Sequence, residues 1–155
     1  MKLPKKTLEK KLFKSGYGYV CAVDEVGMGC LAGPVVVCAV GVAKEFYKKS
    51  HPVLRGLRES KLLSAVQREK FAEELMKEKD LVYAISQCSS RIIDKMNIYR
   101  ASRLAMRRAI GRITPNVQSS VLNIHSIVLV DGRNKIKGLD MEQMAIVKGD
   151  RKIFA

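Results

Sequence analysis

The sequence predicts an α/β fold in which helices flank a mixed central sheet, and three observations carry that prediction. Short apolar runs rich in valine and isoleucine alternate with longer segments of helical periodicity. Their order is a strand hairpin, then helix, strand, helix, strand, strand. The chain has 155 residues, of which 47% are hydrophobic and only four are proline, so it fits one domain, 1–155, with a core of its own.

Each element has a local reason. LPKKTLEKKLFKSG reads as a short basic helix ending at Gly16, because Leu8, Leu12 and Phe13 fall on one face and lysines fill the rest. YGYVCAV and PVVVCAVGVA are β-rich and pair as antiparallel strands across a glycine loop, and their continuous apolarity predicts that both faces are covered. In LSAVQREKFAEELMKEK, Ser64 and Gln67 make an S-x-x-Q capping box, while Phe71, Ala72, Leu75 and Met76 supply an apolar helical stripe. A strand follows at LVYAISQ. SSRIIDKMNIYRASRLAMRRAIGRI is helical in two pieces, with Ile98, Ala101, Ala105 and Ala109 on one face. Arg100, Arg103 and Arg107 lie opposite, a pattern that reads first as a solvated face and second as a phosphate track. HSIVLVDG is a buried strand ending in an acid and a glycine, and MAIVKGD repeats that arrangement.

Charge and composition narrow the function. A formal charge of +14 favours a polyanionic partner, nucleic acid before a membrane surface, since nothing approaches a transmembrane span or a signal-peptide apolar core. The chain is expected to be cytoplasmic. Cys21, Cys30, Cys38 and Cys88 contain no C-x-x-C pair and three sit in apolar runs, so they read as reduced core residues. The two histidines, His51 and His125, have no partner at ligand spacing, which leaves zinc hydrolysis and serine or cysteine triads poorly supported.

Catalysis then rests on carboxylates. Asp24, Glu25, Asp131 and Asp150 each sit where an apolar strand gives way to glycine, and strand ends are where sites gather in α/β sheets. Clustered acids repel unless a divalent cation lies among them, and oxygen-only ligands select Mg²⁺ or Mn²⁺. Two such ions roughly 3.5–4 Å apart serve phosphodiester hydrolysis. Adjacent residues of a regular strand point to opposite faces, so the expectation is that Val26-Gly27-Met28-Gly29 bends the chain to turn Asp24 and Glu25 together. The same loop satisfies G-x-G-x-x-G/A through Gly27, Gly29 and Ala32, but a strand follows it where a dinucleotide site needs a helix, so no nucleotide cofactor is expected. Taken singly, each acid is also explained as a turn residue or helix cap.

These residues resemble the ribonuclease HII family, the bacterial type 2 ribonucleases H, along nearly the whole chain. AVDEVGMGCLAGPVVVCAV is similar to that family's D-E-x-G-x-G-x-x-x-G-P signature, ESKLLS to its D-S-K-x-L-S segment, and IIDKMNIYRASRLAMRRA to its I-D-x-x-N-I-x-x-A-x-x-x-A-M stretch. IVLVDG and IVKGD resemble its third and fourth acidic strands. The resemblance implies a ribonuclease H-like fold and a monomeric endonuclease acting in DNA replication and repair. Its implied substrates are RNA·DNA hybrids and ribonucleotides embedded in duplex DNA, cut to leave 5′-phosphate and 3′-hydroxyl ends. It also implies that Asp24, Glu25, Asp131 and Asp150 bind the Mn²⁺ or Mg²⁺, that Gly27, Met28 and Gly29 read the 2′-hydroxyl, and that Ser60 and Lys61 face the substrate backbone. Met28 stands where the family usually has Arg or Lys, and Glu59 where it has Asp. The family continues beyond the position of Ala155 with a sheet-packing helix, a substrate-contacting tyrosine and further helices. The resemblance therefore implies a catalytic domain lacking the C-terminal helices, with exposed apolar sheet surface. A truncated, catalytically silent chain that binds nucleic acid through its basic surface is the alternative expectation.

Overall fold

The computed structural model describes residues 7–49, 57, 60–120, 125–147 and 149. Five strands form one sheet in the order β3-β2-β1-β4-β5. They are β1 (Tyr19–Val26), β2 (Val35–Ala43), β3 (Leu81–Cys88), β4 (Ser126–Asp131) and β5 (Glu142–Ile146). β1 and β2 are the expected antiparallel hairpin and β3 extends it antiparallel, whereas β4 joins β1 in parallel and β5 joins β4 in parallel. The helices are α1 (Thr7–Lys14), α2 (Lys44–Lys48), α3 (Ala65–Met76), α4 (Ser90–Met96) and α5 (Ile98–Ser120).

Alternation along the strands divides the core in two. One face sends Cys21, Val23, Val35, Val37, Ala39, Val128 and Val130 against α5, which contributes Ala101, Ala105, Met106, Ala109 and Ile110. The alanines matter because small side chains at one helical stripe let α5 lie close over β2 and β3. The other face sends Val20, Ala22, Ile127, Leu129 and Ile146 against Leu12 and Phe13 of α1. Each such aliphatic side chain contributes about 1.5–3 kcal/mol when fully buried, so α5 and α1 clamp β1 and β4 from opposite sides. The helical stretch after β3 breaks in two where Asn97 takes φ +68°, and the Asn97 side chain then accepts a hydrogen bond from the Arg100 amide at 3.0 Å.

Three expectations are corrected. β1 is covered on both faces, but β2 is not: Cys38 is exposed and pairs in register with Ile85, itself 54% exposed, while half-buried Val40 pairs with exposed Tyr83. α1 covers this face over β1 and β4 but leaves it open over β2 and β3. All four cysteines are free thiols, yet only Cys21 and Cys88 are buried, because Cys38 points to that open side and Cys30 lies in the glycine loop. Burial pushes the Cys21 thiol up to about 12, as suits an inert core residue. α3 forms with its capping box intact, Gln67 N–H donating to Ser64 Oγ at 3.2 Å and Ser64 N–H to Gln67 Oε1 at 2.9 Å. Its stripe, however, buries no residue fully: Phe71 and Leu75 are half-covered and Met76 is exposed, since the helix makes only limited contact with β3.

Candidate active site

The parallel pairing of β1 with β4 builds the site. Its register runs to Val23 opposite Val130, and the next residue on each strand is an acid, Asp24 and Asp131. Two carboxylates therefore emerge side by side at the carboxyl ends of neighbouring strands. Glu25 follows on β1.

The chain turns at the expected glycines, but the turn does not bring Asp24 and Glu25 to one face. β1 stays paired with β2 through Asp24 opposite Cys38, Glu25 opposite Val37 and Val26 opposite Val36. The antiparallel ladder holds the acids in regular alternation, so Asp24 lies on the α1 side, exposed, and Glu25 on the α5 side, half-buried. The turn begins only at Gly27, whose φ of +99° and position leave no room for a side chain: an added Cβ would lie 2.7 Å from the Pro34 carbonyl oxygen. Beyond it Met28 and Gly29 are exposed, and the Cys30 amide closes the turn on the Gly27 carbonyl at 3.3 Å.

Electrostatics join the acids across the sheet. Burial raises the Glu25 carboxyl above its ordinary range, Asp24 and Asp131 raise it further, and the Arg103 guanidinium opposes the rise. Glu25 Oε2 is buried without a hydrogen-bond partner. The Glu25 amide donates to Asp24 Oδ1 at 2.7 Å, and the Gly149 amide donates to Asp131 Oδ1 at 2.9 Å. The residue immediately before Asp150 is thus tied to Asp131; Asp150 itself, like Glu59, lies outside the described residues. Among the described residues, no three His, Cys, Asp or Glu side chains are grouped closely enough to hold a metal ion. The oxygen donors nevertheless fit a hard divalent cation, because buried Glu25 Oε2 is the kind of acceptor that such an ion satisfies.

Ser60 and Lys61 are exposed on the 3₁₀ turn Ser60–Leu62. Arg68 donates to the Ser60 and Leu63 carbonyls at 3.3 and 2.7 Å, which fixes that turn. No hydrogen bond among the described residues joins Ser60 or Lys61 to the acids.

Sequence reasoning missed the α5 side of the site. Arg103 is not part of a solvated face: it is half-buried, its guanidinium lies 5.1 Å from the Tyr99 ring centre, and its Nη2 is 3.3 Å from where a Cβ on Gly132 would sit. Asn134 Nδ2 donates to Tyr99 Oη at 3.0 Å, and that bond lowers the phenol pKa. The solvated-face reading fails at Arg103 because α5 extends past the sheet's covered centre to the strand ends, where the Arg103 charge acts on Glu25. The signal available was Gly132, a glycine directly after an acid, which leaves the space that Arg103 fills.

The profile of the family described as Ribonuclease HII matches residues 21–155. The chain is 41% identical over 150 residues to a ribonuclease HII of Caldicellulosiruptor bescii, covering 96% of this chain and 64% of that protein. It is 39% identical over 144 residues to one from Oceanobacillus iheyensis, covering 93% and 49%. The chain thus spans between about half and two thirds of these relatives' length. Among solved structures, Bst-RNase HIII in complex with Mn²⁺ superposes with a TM-score of 0.66 at 18% identity, covering 86% of this chain and 46% of that one. The ribonuclease H2 of Pyrococcus horikoshii OT3 gives a TM-score of 0.62 at 24% identity, covering 86% and 64%. These two likenesses establish the ribonuclease H fold, and the sequence matches establish that the chain belongs to the ribonuclease HII family.

Proposed function

We propose that this chain is the catalytic portion of a metal-dependent endoribonuclease that cuts the RNA strand of RNA·DNA hybrids and nicks duplex DNA at embedded ribonucleotides. The observation that carries the reading is the pair of parallel strand ends bearing Asp24 and Asp131, with Glu25 Oε2 buried and unsatisfied beside them, in a chain of net charge +14. Acids in a basic protein repel the substrate's phosphates unless a cation intervenes, so their placement is costly for binding and informative about chemistry. Asp24, Glu25 and Asp131, with Asp150 from the sequence motif, would hold Mn²⁺ or Mg²⁺. When bound, such ions supply an activated water and stabilise charge on the leaving 3′-oxygen, yielding 5′-phosphate and 3′-hydroxyl ends.

The chain's own residues do the rest. The positive-φ turn at Gly27, and Gly29 with open space around it, keep the loop slim so that backbone approaches the ribose closely enough to read a 2′-hydroxyl. Met28, exposed between them, offers apolar contact there and no charge. Ser60 and Lys61, exposed on a braced turn, face the substrate backbone, where Lys61 neutralises phosphate. The wider basic surface steers the duplex in, and no helix among the described residues is long and apolar enough to cross a membrane. We place the chain in the cytoplasm as a monomer acting in replication and repair.

The test is nicking of a duplex containing one ribonucleotide, with and without Mn²⁺. Cleavage at that nucleotide, lost on chelation and lost in Asp24→Asn, is the expected result. A second reading, a silent nucleic-acid binder, draws on the net charge of +14, which suffices for duplex binding without catalysis. It predicts salt-sensitive duplex binding without turnover in Mn²⁺.

A further inference from the structure

Arg103 is a half-buried cation whose charge acts on Glu25 without forming an ion pair among the described residues. Among the described residues no carboxylate lies within ion-pair range of its guanidinium, and its Nε is buried without a hydrogen-bond partner. What holds it is uncharged: the Tyr99 ring, Met106 Sδ at 3.3 Å from Nη1, and the space left by Gly132 against Nη2. Tyr99 is itself held by Asn134, so the arginine is fixed in place before any ligand arrives.

A half-buried guanidinium with no ion-paired carboxylate among the described residues carries a desolvation cost that a bound anion offsets. Its place is next to the acids, close enough for its charge to act on Glu25, and against the glycine that follows Asp131. The loop on the far side of Glu25, Gly27–Gly33, contains neither lysine nor arginine. An arginine fork suits the oxygens of a phosphate, which it engages with two parallel hydrogen bonds. We infer that Arg103, braced by Tyr99 and Asn134, binds a phosphate of the nucleic acid beside Asp24, Glu25 and Asp131. This rests on nucleic acid being the ligand of the site, but not on cleavage.

The competing role is that of a positioning residue, an arginine that merely orients Glu25. The two roles separate in a binding experiment on a one-ribonucleotide duplex, read by fluorescence anisotropy across a salt series in chelator, with Mn²⁺ affinity measured apart by calorimetry without nucleic acid. Arg103→Gln is expected to weaken duplex binding about tenfold and to flatten the log K against log salt slope by about 0.9, the value of one phosphate contact. Its Mn²⁺ affinity is expected to stay level or rise, because a neighbouring cation has gone. Arg103→Lys keeps the slope and loses part of the affinity with the fork. Asn134→Ala, which removes only the brace, weakens binding less than Arg103→Gln and keeps the slope, so the inference stays testable if Arg103→Gln folds poorly. An Arg103→Gln protein with parental duplex affinity and slope overturns the inference, as does one whose only loss is in Mn²⁺ binding. A parental protein that shows the Arg103-dependent slope but never nicks leaves the phosphate contact standing and refutes the endonuclease reading instead.

Discussion

β1 and β4 carry acids or their partners at both ends, and the two ends are built in opposite ways. At the amino ends, Glu142 on the neighbouring strand β5 is matched by two groups: Tyr17 Oη donates to its Oε1, and His125 Nε2 lies 3.1 Å from its Oε2. Tyr17 and His125 also stack at 4.4 Å. At the carboxyl ends, Asp24 and Asp131 both act on Glu25, which keeps a buried oxygen without a hydrogen-bond partner. A carboxylate surrounded by donors is a structural tie; a half-buried carboxylate whose pKa is raised by burial and by acidic neighbours is held at a cost to stability and suits a cationic ligand.

The sharpest way to break that contrast is exchange of one acid at each end. Asp24→Asn is expected to reduce metal-dependent nicking to below about one thousandth, as for other residues that act as a catalytic unit, while leaving the Tm unchanged or higher. Glu142→Gln is expected to leave nicking unchanged. Equal losses in both variants would show that the acids at the carboxyl ends have no special standing.

Next in size is the loop. Gly27→Ala places a Cβ 2.7 Å from the Pro34 carbonyl oxygen at a φ of +99°, so the turn must move. The expected loss is about 1–3 kcal/mol, read by urea denaturation, together with lower activity. Gly29→Ala meets no atom within 4 Å and is expected to leave stability near that of the parent. A Gly27→Ala protein as stable as Gly29→Ala would remove the case for a conformationally restricted turn at Gly27.

How much of this was legible in the sequence differs between the two levels of structure. The elements were legible because each writes its own local chemistry: the Ser64–Gln67 capping box, the alanine stripe at Ala101, Ala105 and Ala109, and the apolar strand runs all reappear. The three described acids were legible as strand-end residues. What the sequence could not carry was pairing. The glycine turn stands where it is expected, but it does not bring Asp24 and Glu25 to one face, because the ladder to Cys38, Val37 and Val36 keeps β1 straight, and that ladder is a property of β2. Arg103 was misread for the same reason, since a helical wheel reports direction from an axis and not what stands at the end of a sheet. Exposure of Cys38 likewise depends on what packs over its partner Ile85, which lies 47 positions away in the chain.

A smaller effect appears in the pH dependence of the metal-free protein. The Glu25 carboxyl is raised in the folded state, so the fold binds that proton more tightly than the unfolded chain does. Stability from this source is fully present below the ordinary glutamate range and is lost as pH rises through the raised value. Glu25→Gln is therefore expected to have the higher Tm in chelator at neutral pH, with the gap closing below about pH 4. A gap of the same size at both pH values would mean that packing of the amide, not removal of charge, is responsible.

The smallest expected effect lies at the other end, where the sign reverses. Glu142 is an exposed acceptor, and its bond from Tyr17 raises the phenol pKa, so the tie is present at neutral pH and is lost as pH rises through the tyrosine range. Being exposed, the tie to His125 is screened by solvent and by salt. Glu142→Gln is expected to lower the Tm by a few degrees at most, and less in high salt, whereas the Glu25→Gln gain persists in salt because burial is its first cause. Thermal scans of the two variants at low and high salt would therefore move in opposite directions at low salt and leave only the Glu25 effect at high salt. If both effects vanish together in salt, Glu25 is as solvated as Glu142, and the two ends of the sheet differ in sequence but not in physics.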